Sequence, residues 1–370
     1  MRFKDEMPRV GRVPRKNIKK TTPNMISFEC DYNNGAHPEV MRHIVETNGE
    51  TTQTYGFDKY SLQAKEKIAK ACGVTSDDVH LLTGGTQANA TVVDAMLRSY
   101  EAVVCAETGH INVHEAGAIE AFGHKVIGLP QTDGKLAAAT LDHWMTVFEC
   151  DESRDHVAQP GMVYISFPTE MGTLYTAAEL CALEETCHRH GLRLFVDGAR
   201  MGYGLEAPGN DITLPLLAAH CDAFYIGGTK VGALCGEAVV FPGGKTPRCF
   251  FSIVKRHGAL LAKGRLTGVQ FDALFTDNLY FRISRHAIER SQQLRQVLSG
   301  AGFPFHVDSP TNQQFVVIPN EIVKKLEGKV SFIQWEPYDD NSTVCRFVTS
   351  WATTEADIRE LECVLADLTR

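Results

Sequence analysis

The sequence predicts an α/β protein: a mostly parallel sheet with helices on both faces, followed by a smaller α+β unit at the C-terminus. Three observations predict it. Short apolar runs recur at 79–82, 102–105, 124–128, 162–166, 192–196, 222–226 and 237–241, most of them separated by helix-length segments, and strands joined by helices form parallel sheets. After residue 303 the pattern changes to strands at 314–318, 330–334 and 344–349 with a closing helix at 353–368. The length of 370 residues favours two domains over one.

The elements follow in chain order. Within residues 1–24, the stretch "RFKDEMPRVGRVPRKNIKK" is basic, holds two prolines and offers almost no apolar face. It predicts an extended arm, either a solvated tail or one lying on a neighbouring subunit, without the apolar core of a secretory signal. Residues 25–271 are expected to form the large domain, with the segment at 25–50 reaching the small one. "DKYSLQAKEKIAKACG" carries Asp58 as N-cap and Gly73 as C-terminal stop around an apolar stripe. Residues 272–302 read as one long helix linking the large domain to the rest of the small domain at 303–370.

Composition narrows the function. The chain is 44% hydrophobic and 22% charged, an ordinary globular balance. A net charge of −8 argues against a nucleic-acid binder, and no apolar run approaches the ~20 residues of a membrane span. The 11 cysteines are scattered from Cys30 to Cys363 without C-x-x-C pairs or metal-ligand spacing. They read as core residues of a reducing, cytoplasmic compartment, and no metal is expected.

Ligands of such sheets gather at the carboxyl ends of strands, and four groups fall there. Gly84-Gly85-Thr86 follows the run at 79–82 and opens a helix, whose free N–H groups suit a phosphate. Asp197 ends an apolar strand, a costly place for a carboxylate unless a cation meets it. That cation is either Arg200, three residues on, or the protonated ring nitrogen of a cofactor. His110 follows the run at 102–105, while His114 and Glu115 divide between helix surface and site. Lys230 follows the run at 222–226 and two glycines, so it emerges at the same edge as Asp197. A lysine, an acid and a phosphate cradle on one edge meet the requirements of pyridoxal 5'-phosphate: a Schiff-base lysine, a partner for the pyridine nitrogen and an anchor for the phosphate.

With "CDYNNGAHPEVM", "TYGFDKYS", "GGTQAN", "GHINVHEAGA", "FVDGARMG", "GGTKVGALCGEA", "AKGRLTGVQF" and "CRFVTSWAT" in this order, the chain resembles the fold-type-I pyridoxal-phosphate enzymes, within them the low-specificity threonine aldolase and β-eliminating lyase group. The resemblance implies a seven-stranded large-domain sheet and a homodimer or homotetramer with a site shared between subunits. It implies that Gly85 and Thr86 hold the phosphate, that His110 stacks on the ring, that Asp197 meets the ring nitrogen and that Lys230 is the covalent anchor. Arg200 is implied at the ring's phenolic oxygen or the substrate carboxylate, Arg265 at the phosphate of a neighbouring subunit, Arg346 at the substrate carboxylate, and Tyr55 at the substrate. Two positions depart from the typical bacterial pattern. Glu170 stands where a histidine is usual, and Cys30 where a serine touching the carboxylate is common.

The expected reaction is retro-aldol cleavage of L-threonine, L-allo-threonine or a related β-hydroxy-α-amino acid to glycine and an aldehyde, with a water or His110 ranked above Glu170 as base. The alternatives are β-elimination from another amino acid, then aminotransfer, then a catalytically silent relative. Cys235 follows Lys230 too closely for the mobile nucleophile of a desulfurase.

Overall fold

A computed structural model of the chain describes residues 25–369; the expected basic arm at 1–24 lies outside them. Seven strands form the large sheet, in the spatial order Val79–Leu82, Glu237–Val240, Ala223–Gly227, Arg193–Asp197, Gln159–Ser166, Glu101–Ala106 and Val126–Leu129. All seven overlap the apolar runs of the sequence. Only Glu237–Val240 runs against the others, antiparallel to both of its neighbours. The strands are continuously apolar because both faces are covered. Leu194, Val196, Phe224 and Ile226 face one core with Ile68, Leu141 and Leu180 from the helices outside it. Phe195 and Tyr225, one residue out of phase, face the other with Val92 and Val254.

The helix Lys59–Cys72 begins where expected, with the Asp58 carboxylate accepting from the N–H groups of Tyr60 and Ser61, and stops at Gly73 with φ 72°. The single helix expected over 272–302 is in fact two, Arg265–Leu274 and Leu279–Gly300. Asp277 and Asn278 adopt left-handed backbone, φ 48° and 55°, which short polar side chains tolerate better than most and which breaks the helical run.

Beyond this connector, Gln313–Pro319, Ser342–Val348 and Ile333–Pro337 form an antiparallel sheet with Ser342–Val348 in the middle. Its core joins Phe347, Leu294, Leu298 and Leu361 to Phe28. Ile26–Ser27 pairs in parallel with Val330–Ser331, so the first described residues are built onto the last third of the chain.

Candidate active site at the carboxyl edge of the sheet

The loops following the parallel strands converge on a cavity of about 600 Å³. Gly84 precedes the helix Gly85–Met96 in extended conformation, without a side-chain cap. The first N–H groups of that helix therefore face the cavity mouth at its positive end. A Cβ on Gly85 would stand 3.2 Å from the Tyr225 hydroxyl, so glycine permits the close approach.

Asp197 is 4% exposed and surrounded by donors. Its Oδ2 accepts from Tyr164 Oη at 2.6 Å and Asn89 Nδ2 at 2.9 Å, its Oδ1 from Tyr225 Oη at 2.5 Å and the Ala199 N–H at 2.9 Å. Burial pushes its pKa up, but the His110 charge and these hydrogen bonds outweigh burial and hold it below the usual carboxylate value. No ion-pair partner within 4.0 Å reaches Asp197 among the described residues. Arg200 in particular does not: its Nε and Nη2 meet Asp31 Oδ2 and Oδ1 at 2.7 and 2.9 Å, with Asn312 Nδ2 also on Oδ2 at 2.9 Å. The direct Arg200–Asp197 pair is thus overturned, because Asp31, brought in from the N-terminal segment, takes the guanidinium in bidentate form.

His110 Nδ1 bonds Glu115 Oε1 at 2.7 Å, and Asn89 Nδ2 lies 2.8 Å from the same oxygen. Burial disfavours the imidazolium, yet the Glu115 bond and the Asp197 charge prevail and raise the His110 pKa. Glu115 and His114, both left open by the sequence, line the cavity; Glu115 is buried, and His114 packs its ring on Trp335 at 5.9 Å between centroids. Glu170 lies on the loop after Gln159–Ser166, with Oε1 accepting from the His110 N–H at 2.9 Å and Ser166 Oγ at 2.6 Å. Burial raises its pKa. Ser166 Oγ also stands 3.3 Å from Tyr164 Oη, but its one hydrogen goes to Glu170 and that of the tyrosine to Asp197, so the two carboxylates are each held by their own hydroxyl.

Lys230 is partly buried, its Nζ 5.8 Å from the centre of the Tyr32 ring, and among the described residues its amine has no ion pair or hydrogen bond. Burial, then the nearby Arg200 charge, lower its pKa. Its carbonyl is held by Tyr203 Oη at 2.6 Å. Arg346 comes from the small sheet. Its Nη1 and Nη2 reach Gln313 Oε1 and the Glu29 carbonyl only at 3.4 Å, its Nε is buried without a partner, and its guanidinium lies 5.1 Å from the Trp335 ring centre.

Three of the sequence candidates do not line this cavity. Cys30 lines a neighbouring depression with Val348 and Ser350, and Asp31 takes the inward place instead. Tyr55 lines a separate apolar cavity with Phe57, Phe250 and Phe251. Arg265 donates to the carbonyls of Glu50 and Thr47 and lies over the Tyr60 ring. Within one chain, helix Arg265–Leu274 packs against Lys59–Cys72, so both Tyr55 and Arg265 belong to that flank. Sequence reasoning missed Asp31, Gln313, Trp335 and Glu237. Asp31 and Glu237 stood inside quoted motifs without being singled out, while Gln313 and Trp335 carry no local signal.

The residues fit pyridoxal 5'-phosphate. Among the described residues, the first helix N–H groups have no side-chain cap, an ionised acid lacks a cation, an amine is unpartnered, and an arginine Nε is orphaned in the cavity wall. A parallel sheet with a single reversed strand and this set of groups at its edge define a fold-type-I pyridoxal-phosphate enzyme. The chain belongs to the beta-eliminating lyase family, whose sequence model matches residues 31–332, a family of pyridoxal-phosphate-dependent lyases. It is 30% identical over 340 residues to a low specificity L-threonine aldolase of a Pseudomonas strain, covering 90% of this chain and 95% of that one. A low specificity L-threonine aldolase of Pseudomonas aeruginosa is 28% identical over 347 residues, 92% and 97% of the two chains. Among solved structures, a threonine aldolase of Leishmania major superposes with a TM-score of 0.89 at 37% identity, covering 93% of this chain and 100% of that one.

Proposed function

We propose that the protein is a pyridoxal-phosphate-dependent aldolase that cleaves L-threonine, L-allo-threonine or related β-hydroxy-α-amino acids to glycine and an aldehyde. The observation that carries this reading is the 37% identity to the Leishmania threonine aldolase over its whole length. The site supports it. When bound, the cofactor accepts the electron pair released as the Cα–Cβ bond breaks. Asp197, kept ionised by four donors, would stabilise the protonated ring nitrogen. The Gly85 and Thr86 N–H groups would hold the phosphate. Lys230, with its amine pKa lowered by burial, would anchor the cofactor covalently and exchange with the substrate amine. Arg346 would take the substrate carboxylate, and Arg200, fixed by Asp31, would face the phenolic oxygen or that carboxylate.

Glu170 is the base that this geometry favours, directly or through a water. The Glu115 bond raises the His110 pKa and fixes its ring, which suits His110 to stacking on the cofactor, so Glu170 stands above it as base in this reading, the reverse of the order drawn from sequence. Cys30 remains beside Arg346, whose charge acts on its thiol, and would border the carboxylate from outside the cavity. Tyr55 and Arg265 would serve a site only across a subunit boundary. The exposed Tyr55, Phe57 and Phe251 on that flank, 38%, 56% and 49% accessible, form the apolar patch that a dimer would bury. A homodimer or homotetramer is therefore part of the proposal, as is a cytoplasmic location, supported by eleven free cysteines. Among the described residues no helix is long and apolar enough to cross a membrane.

The test is to supply pyridoxal 5'-phosphate and L-threonine and measure products. Aldehyde with equimolar glycine supports the reading; pyruvate with ammonia replaces it by β-elimination.

Two further results are expected. Arg346→Lys loses the bidentate grip on the carboxylate, so kcat/KM falls by roughly 10- to 10²-fold, mostly through KM, given the usual strength of charged hydrogen bonds. Glu170→Gln cannot take a proton, and kcat/KM falls about 10²- to 10⁴-fold as for other lost general bases. The wild-type pH profile should lose activity on acidification through the raised Glu170 pKa. That limb disappears in the variant, and a limb unchanged in Glu170→Gln assigns the base elsewhere.

A further inference from the structure

Glu237 is a buried carboxyl group, 3% exposed, that the reaction above does not use. It arrives at the site because its strand is the reversed one. The first residue of Glu237–Val240, not the last, sits at the ligand edge, level with Leu82 on one side and Gly227 on the other. Leu82 leads into Gly84-Gly85-Thr86, and Gly227 leads into Thr229 and Lys230. Glu237 thus stands between the proposed phosphate cradle and the lysine, and lines the same cavity.

Its oxygens are held by that loop. Oε1 lies 2.7 Å from Thr229 Oγ1, and Oε2 accepts from the Gly228 N–H at 3.2 Å. Thr229 Oγ1 also accepts from the Gly236 N–H at 3.1 Å. A hydroxyl has one hydrogen and two lone pairs, so the protonation of Glu237 decides where the Thr229 hydrogen goes. If the acid is neutral and its proton lies on Oε1, it donates to Thr229 Oγ1, the Gly236 N–H fills the second lone pair, and the threonine hydrogen is released from Glu237, with the Gly236 carbonyl at 3.5 Å as its long alternative acceptor. If it is ionised, Thr229 donates back to it, and a negative charge stands beside the cradle.

We propose that Glu237 is a positioning residue for the cofactor phosphate, acting as a neutral carboxylic acid that turns the Thr229 hydroxyl hydrogen towards the anion bound at Gly84-Gly85-Thr86. The inference rests on the cofactor reading above. Burial raises the Glu237 pKa to about 8, against the Thr229 hydrogen bond and the Lys230 charge, which lower it, and with the Asp197 charge, which raises it further. Tyr225 and Tyr280 are the other titratable groups that feel its charge. Leu82, and Thr267 and Phe271 beside Gly236, present no ionisable group. The acid is therefore mostly protonated at pH 7 and ionised above pH 9.

The phosphorus NMR shift of the bound cofactor in the holoenzyme tests this. Phosphate esters lose their last proton near pH 6, so a titration between pH 7 and 9.5 that Glu237→Gln removes belongs to Glu237, whereas one from His110 or Lys230, whose pKa values are raised and lowered respectively, persists in the variant. The wild-type signal should titrate there, and cofactor release on dialysis should be about tenfold faster at pH 9 than at pH 7, the cost of one charge-assisted hydrogen bond. Glu237→Gln, whose amide donates permanently to Thr229, should show neither effect while keeping its cofactor. A wild-type shift that is flat with pH, or an identical titration in Glu237→Gln, overturns the role of Glu237 and leaves the cofactor reading standing. A purified protein with no bound phosphorus signal and no visible chromophore overturns both.

Discussion

Lys230→Ala is expected to leave a folded protein without aldolase activity, with kcat lowered roughly 10⁴-fold or more, as is usual when a covalent catalytic group is removed. Lys230 is the one lysine among the described residues lining the cavity, so no other amine there can replace it. Among the described residues the amine makes no hydrogen bond or ion pair, and its removal strands no partner there. Its carbonyl bond from Tyr203 is a main-chain contact that alanine preserves. Circular dichroism and melting temperature should therefore stay near wild type while the absorbance of lysine-bound cofactor disappears. Wild-type turnover in Lys230→Ala with cofactor supplied would refute the site.

Asp197→Ala is the second large effect, and of another kind. Losing a well-placed charge in a closed site costs on the order of 10²- to 10³-fold in rate, and kcat should fall by at least that. Here the fold suffers too. Tyr164, Tyr225, Asn89 and the Ala199 N–H all donate to this carboxylate, and truncation strands four buried donors, each costing about 1–3 kcal/mol if unsatisfied. Asp197→Asn offers one acceptor oxygen and two hydrogens into the same ring of donors. The tyrosine hydroxyls can rotate to accept, whereas the Ala199 N–H cannot. Stability should therefore fall in the order wild type, Asn, Ala, and activity should drop sharply in both variants. Wild-type kcat in either would remove Asp197 from the ring nitrogen.

The parallel sheet was legible because its strands are buried on both faces and so read as unbroken apolar runs between helices. Lys230, Asp197, His110 and the Gly84-Gly85-Thr86 turn were legible because each follows such a run within a few residues. What the sequence concealed has a physical cause. Asp31 and Arg200 are 169 positions apart, and no local pattern announces that one neutralises the other. Glu237 begins an apolar run, and nothing in its periodicity shows that the strand runs backwards, which alone turns a strand's first residue towards the ligand. Trp335 and Gln313 arrive from the small sheet, whose alternating pattern gives strands but not which residues overhang the other domain. The helix break at Asp277 and Asn278 was written in two residues that tolerate left-handed backbone, in a segment otherwise consistent with one helix.

The parallel pairing of Ile26–Ser27 with Val330–Ser331 also fixes an order of events during synthesis. The large sheet uses residues 79 to 240 and can close while the ribosome is still making the remainder. The segment leading to Asp31 is among the first parts to emerge, yet its strand partner is among the last. Until some 330 residues exist, Ile26 and Ser27 have no partner strand, Arg200 lacks the anchored form of its counter-ion, and Arg346 has not been made. A nascent or C-terminally truncated chain would thus carry Lys230 and the proposed phosphate cradle, but not the arginine proposed to take a carboxylate. Under the proposed roles, the ability to hold an amino acid is conferred at the end of translation, by the joining of the chain's two extremes.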